Sequence, residues 1–247
     1  MTRLRRRAAL ARASGLGACT GDPSVVVQRG EAVDQGRALF RDPSIAGTSY
    51  NTYACATCHR ADDPADARVL TGAPLAGVTR RPSYWGGSEL ELLRAVNACL
   101  YYFMLRDAPW SADDPDARAV YAYLDALSPD GGAGGDAVPF TVVVTVGDLA
   151  AGDAARGASV YATTCAGCHG AIHTAQGRLV PRAPALPDET VAEHPPPEYD
   201  AAARRLVFVE KVRHGAFLGY GGQMPPHSRE VLSDAALADL LALFELY

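Results

Sequence analysis

Lysine is almost missing from these 247 residues: of 23 basic side chains only Lys211 is a lysine. That excludes docking through a lysine-rich face. Methionine is nearly as scarce, three including the first residue. Apolar runs of about 18 residues are missing, so no internal transmembrane helix is expected. Basic charge is in deficit against 28 acids, and the formal charge of −5 argues against nucleic acid as a partner. Glycine and proline, 24 and 17, fall well short of a low-complexity composition. What remains, 48% hydrophobic and 21% charged, is an ordinary globular mixture long enough for one large domain or two small ones.

The chain opens with five arginines among its first twelve residues, interleaved with alanine and leucine. Residues 1–18 read as an export signal, and Leu16-Gly17-Ala18-Cys19 as a lipobox that would place a lipid anchor on Cys19. Residues 19–28 would then be a tether. Removing 1–18 takes away five arginines and no acid, so the mature charge falls from −5 to −10.

Cysteine carries the functional signal. Four of the six cysteines form two copies of one pattern, Cys55-Ala56-Thr57-Cys58-His59 and Cys165-Ala166-Gly167-Cys168-His169. At this composition a chance C-x-x-C-H is expected about 0.003 times per chain. Two thiols one helical turn apart add across the two vinyl groups of a porphyrin, and the next imidazole lies under the iron. A zinc ribbon is a poor alternative, because 106 residues separate Cys58 from Cys165. The expected cofactors are two haem c groups with iron, held by Cys55, Cys58, Cys165 and Cys168, with His59 and His169 as proximal ligands. Covalent haem attachment in bacteria takes place outside the cytoplasmic membrane, so a periplasmic location is expected.

With these motifs the sequence resembles the class I cytochrome c family, present twice, over most of residues 29–247. The expected fold is mainly α: cytochrome c-like helical domains at 29–128 and 151–247. A Gly-rich linker and a short extended segment, 129–150, join them, and Phe140–Val146 reads as a strand. Each half opens with Gly-x-x-x-aromatic (Gly36/Phe40, Gly157/Tyr161) and closes with an amphipathic helix, near Pro115–Leu127 and from Asp234 to the C-terminus. The resemblance implies that first and last helices cross at the glycine. The expected contacts are Gly36/Phe40 with Tyr121 or Leu124, and Gly157/Tyr161 with Leu241 or Phe244.

Sixth ligands are sought among the sulfurs. Met224 lies in Gly-Tyr-Gly-Gly-Gln-Met-Pro-Pro, a loop similar to the methionine loop of cytochromes c. Met104 lies in an apolar helical run that also holds Cys99. On one continuous helix these two are five positions apart, about 140°, so only one could face an iron. Met104 is the expected ligand and Cys99 the alternative. Pro74 and Pro184, each fifteen residues after its histidine, are expected to accept the Nδ1–H of His59 and His169. Arg80, Arg81 and Trp85 are candidates for haem propionates.

With both irons saturated, the sequence favours a periplasmic dihaem carrier of single electrons, with no catalytic residues and with redox partners that present a basic face. Two alternatives stand beside it. The segment 92–99 is similar to one in sulfur-oxidising dihaem cytochromes, where a cysteine at one iron handles thiosulfate. The chain could also be the haem subunit of a larger oxidoreductase.

Overall fold

The computed structural model describes residues 23–61, 67–128, 138–216 and 222–247, with side chains from residue 28 onward. The export signal, Cys19 and most of the Gly-rich linker lie outside the described residues. The fold is mainly helical, as expected, and no strand occurs among the described residues.

The first half is framed by α1 (Pro23–Phe40) and α4 (Pro115–Ala126), with α2 (Cys55–Cys58) and α3 (Leu92–Tyr102) between them. The second is framed by α5 (Ala154–Val160) and α9 (Asp234–Leu243), enclosing α6 (Ala166–His169), α7 (Asp188–Glu193) and α8 (Ala201–His214). Helix starts follow the polar residues in the sequence. Asp153 accepts from Arg156 N at 2.9 Å, Asp200 from Ala203 N at 2.8 Å and Ser233 from Ala236 N at 3.2 Å. Such caps contribute roughly 1 kcal/mol each. Asp114 occupies the cap position of α4, but its side chain makes no cap bond; Pro115 supplies the start instead.

The helix crossings are set by glycine. A Cβ on Gly36 would run into the carbonyl of Ala119 and the Tyr123 side chain, and one on Gly157 into the carbonyl of Asp239. The aromatic residues one turn on then pack edge to face, Phe40 on Tyr123 at 5.3 Å and Tyr161 on Phe244 at 5.9 Å. Tyr121, one of the two expected partners of Phe40, points outward and is 51% exposed; Tyr123 takes its place two positions on.

Three other expectations are corrected. Residues 23–28, expected as tether, belong to α1, because Pro23 opens a helix that runs without a break to Phe40. Helix α9 stops at Leu243, and Glu245 takes a positive φ of 57°. Phe140–Val146, expected as a strand, forms no strand and pairs with none among the described residues. Thr141 N and Oγ1 are both bonded to the carboxylate of Glu230, and Phe140 lies edge-on to Trp85 at 5.6 Å.

The halves share a seam. Val69 N donates to Thr163 O at 2.9 Å. Arg182 of the second half lies over the Tyr50 ring of the first at 5.5 Å. Val180, Ala183 and Cys168 pack into the core of the first half beside Phe40, Tyr53 and Leu100.

Candidate functional site

Each C-x-x-C-H motif is presented on a single helical turn, and by a different route. In the first half an irregular stretch leads to α2, where Thr57 Oγ1 accepts from Ala54 N at 3.0 Å and His59 N closes the turn on Cys55 O at 2.9 Å. In the second, α5 runs through a π-helical turn, Tyr161–Cys165, directly into α6. This explains why Gly157 precedes its motif by 8 residues and Gly36 by 19.

The two imidazoles are set up alike. His59 Nδ1 donates to Ala73 O at 2.9 Å and His169 Nδ1 to Pro184 O at 3.0 Å. A carbonyl can only accept, so Nδ1 carries the proton and Nε2 is left with its lone pair free for a metal. Burial pushes both imidazoles down from their ordinary pKa, which favours the neutral, ligating form. Burial also pushes the thiols up, Cys55 and Cys165 to about 12, Cys58 to about 11, and Cys168 in the same direction. None of these cysteines forms a disulfide.

Pro184 has its expected position, but Pro74 does not. The His59 acceptor is one residue earlier, Ala73, because the Arg81 guanidinium takes the carbonyls of Pro74 and Ala76, at 2.5 and 2.9 Å, and turns the Pro74 carbonyl from the ring. Gly72 completes this cradle. Its N–H donates to Cys58 O at 2.8 Å, and a Cβ there would collide with the His59 ring. Gly72 and Ala73 were missed in the sequence, although Thr-Gly-Ala-Pro marks a turn at that point.

His59 lines an apolar cavity walled also by Phe40, Leu75, Val78, Trp85 and Leu100. Both Cys99 and Met104 line it. The helical argument against this fails because α3 ends at Tyr102. Leu105 takes a positive φ of 58° and Arg106 N folds back to Leu100 O at 2.9 Å, so Met104 lies beyond the helix and off its regular register. Met104 is 3% exposed; Cys99 is half-buried, and burial raises its thiol pKa.

Of the propionate candidates, Arg81 and Trp85 line the cavity. Trp85 Nε1 is directed to Ala95 O at 3.4 Å, whereas Arg80 lies 3.7 Å from the Asp125 carboxylate and is absent from the cavity wall.

In the second half Met224 is half-buried, and its carbonyl accepts from Ala216 N at 2.7 Å. Gly215, at φ 52°, allows this approach, since a Cβ there would strike Met224 O. Residues 217–221 of the methionine loop lie outside the described residues. Buried Arg213, unremarked in the sequence, clamps the exit of the loop through His227 O at 3.0 Å, Leu232 O at 2.7 Å and Asp234 at 2.6 Å. His227 is pushed down to about 4, first by burial, then by Arg213 and by His169, which ties this segment to the second motif.

Haem fits these residues: paired thiols on one turn, a bare Nε2 on each histidine, a glycine packed on the first ring and an apolar cavity whose lining includes His59, Cys99 and Met104.

The family model described as cytochrome c oxidase, cbb3-type, subunit III matches residues 152–243. A thiosulfate dehydrogenase of Stutzerimonas stutzeri (strain A1501) is 32% identical over 147 residues, covering 57% of this chain and 46% of its own length. Thiosulfate dehydrogenase (TsdBA) from Marichromatium purpuratum, a solved structure, aligns over 93% of this chain and 48% of its own at 19% identity and a TM-score of 0.44. The chain thus spans about half the length of these relatives. The motifs and the sequence matches support a c-type cytochrome with haem c and its iron as cofactor and electron transfer as its chemistry. They also correct one expectation. The chain was read as a carrier without enzymatic activity, whereas its relative is a named dehydrogenase of thiosulfate.

Proposed function

We propose that this chain is a dihaem cytochrome that oxidises thiosulfate at the first haem site and passes the electrons out through the second. Each C-x-x-C-H motif holds one haem, in tandem units at 29–128 and 151–247 joined by 129–150. The observation that carries the reading is the single cavity over His59 that presents two sulfurs, Cys99 and Met104. A site for electron transfer alone needs one. Haem, when bound, supplies a one-electron acceptor at each site. Joining two thiosulfate anions through a new S–S bond releases two electrons, and two haems, one at each motif, would match that stoichiometry. Cys99 is the sulfur that handles substrate at the first iron, and Met104 is the second ligand at hand. Burial raises the Cys99 thiol pKa, and a metal cation would favour the thiolate.

Met224 would hold the second iron and leave that site to electron transfer. Arg81, in the cavity wall, is placed for a propionate. The oxidised partner is a periplasmic redox protein with a basic face, suited to a mature chain of formal charge −10.

The test is thiosulfate-dependent reduction of an artificial acceptor by wild type, Cys99→Ala and Met104→Ala. Loss of Cys99 is expected to cut turnover by at least about 100-fold, the upper range for a group that supports a metal site. Met104→Ala should stay within about tenfold. A wild type that does not reduce the acceptor with thiosulfate, or an unchanged Cys99→Ala, overturns the reading.

A further inference from the structure

Met104 and Met224 are 120 residues apart in sequence, yet the residues just before them touch. Gln223 Nε2 donates to Phe103 O at 2.9 Å, a side chain-to-backbone bond across the seam. Phe103 caps α3 by donating its own N–H to Cys99 O at 3.1 Å. Beyond Gln223, Met224 O is held by Ala216 N at 2.7 Å. These bonds link Cys99, in the wall of the first cavity, to the segment that carries Met224. Pro225 and Pro226, which follow Met224, reach into the wall of the first cavity. The Phe103 ring lines the same cavity and packs on Trp85 at 5.9 Å.

We infer that Gln223 is a positioning residue that couples the distal ligands of the two irons. This rests on the two-haem reading above. The last carbonyls of a helix have no partner within it, and Gln223 fills that role for α3 at the place where the chain leaves the helix to present Met104. Fixing the Phe103 carbonyl fixes the turn between Cys99 and Met104, and so which sulfur faces the iron. The donor belongs to the distal loop of the second haem, so a shift of Met224 is carried to the first site. The amide is neutral, and the coupling is independent of pH.

The test is ferric EPR on the full chain, with haem content measured on the same samples. Gln223→Leu removes the donor; Gln223→Glu keeps the shape and, when ionised, also lacks it. Each is expected to split the first iron's low-spin signal in two, the minor form rising about three- to tenfold, the equilibrium shift that loss of one neutral hydrogen bond produces. Arg182→Ala breaks a different contact of the seam and should leave that signal unchanged. A first-iron signal unaltered in both Gln223 variants overturns the coupling and leaves the dihaem reading standing. The same splitting in Arg182→Ala also overturns it, because any loosening of the seam would then suffice. One haem per chain in the wild type overturns both the coupling and the reading beneath it.

Discussion

The two halves solve the same problem with different rigidity on the distal side. Their proximal sides match: a motif on one turn, a histidine fixed through Nδ1 to a loop carbonyl, and a glycine-bound crossing of first and last helices. Their distal sides diverge. The second half offers Met224 from a segment clamped by buried Arg213, whose side chain is 1% exposed. The first offers two sulfurs in one apolar cavity, at a helix end held by local bonds of half-buried Arg106, a leucine at positive φ and an amide from the other half. Histidine placement is the invariant requirement for holding haem, and the distal segment is where a site becomes specialised. Under the proposed function, the clamped loop would serve the iron that only exchanges electrons and the helix end with a choice of sulfur the iron that meets substrate.

That contrast can be broken experimentally. The largest effect is expected from Gly72→Val, which places a side chain where the His59 ring stands and should abolish stable ligation at the first iron while the second haem stays native. Haem content and the ferrous spectrum would report it, and a normal first haem would show that the Gly72 cradle is dispensable. Next is Arg213→Leu. It strips hydrogen bonds from the buried carbonyls of His227 and Leu232 and should cost about 3 kcal/mol, measured by denaturation, with the second haem's Met band weakened. Arg106→Leu, a half-buried arginine bonded to Ile45 O and Ala108 O in the first half, should cost about 1 kcal/mol. Equal costs would contradict the difference in rigidity.

A smaller effect is expected with pH. Thr141 holds the Glu230 carboxylate down at about 2 through its hydroxyl and amide. The group's folded pKa is depressed. Its contribution is therefore present above the ordinary carboxylate pKa of 4.5 and is lost as pH falls toward 2. Glu230→Gln should flatten that part of the acid-stability curve and leave the neutral range nearly unchanged; melting curves across the range would read it. The smallest effect is ionic: electron transfer to a basic partner should slow as salt rises, and salt-independent rates would assign the acidic surface to solubility alone.

Much of the proximal architecture was legible in the sequence because it rests on local rules. The C-x-x-C-H spacing, the Gly-x-x-x-aromatic pairs, the Ser233 cap and Pro184 follow from residue type and interval. Pro74 misled because Arg81, seven residues on, decides which way a carbonyl turns. The α3 end was illegible because Leu105 fills, without glycine, a backbone position that glycine usually marks. Gln223 and Arg213 act across 120 and 14–21 residues, beyond the reach of any local pattern.

Cys99 as the sulfur at the first iron is tested most directly by ferric EPR of Cys99→Ala beside Met104→Ala. Cys99→Ala should remove a thiolate-type low-spin signal, and Met104→Ala should retain it. A spectrum unchanged by Cys99→Ala, with the first iron turned high-spin by Met104→Ala, would contradict the account and leave the first cavity an electron-transfer site like the second.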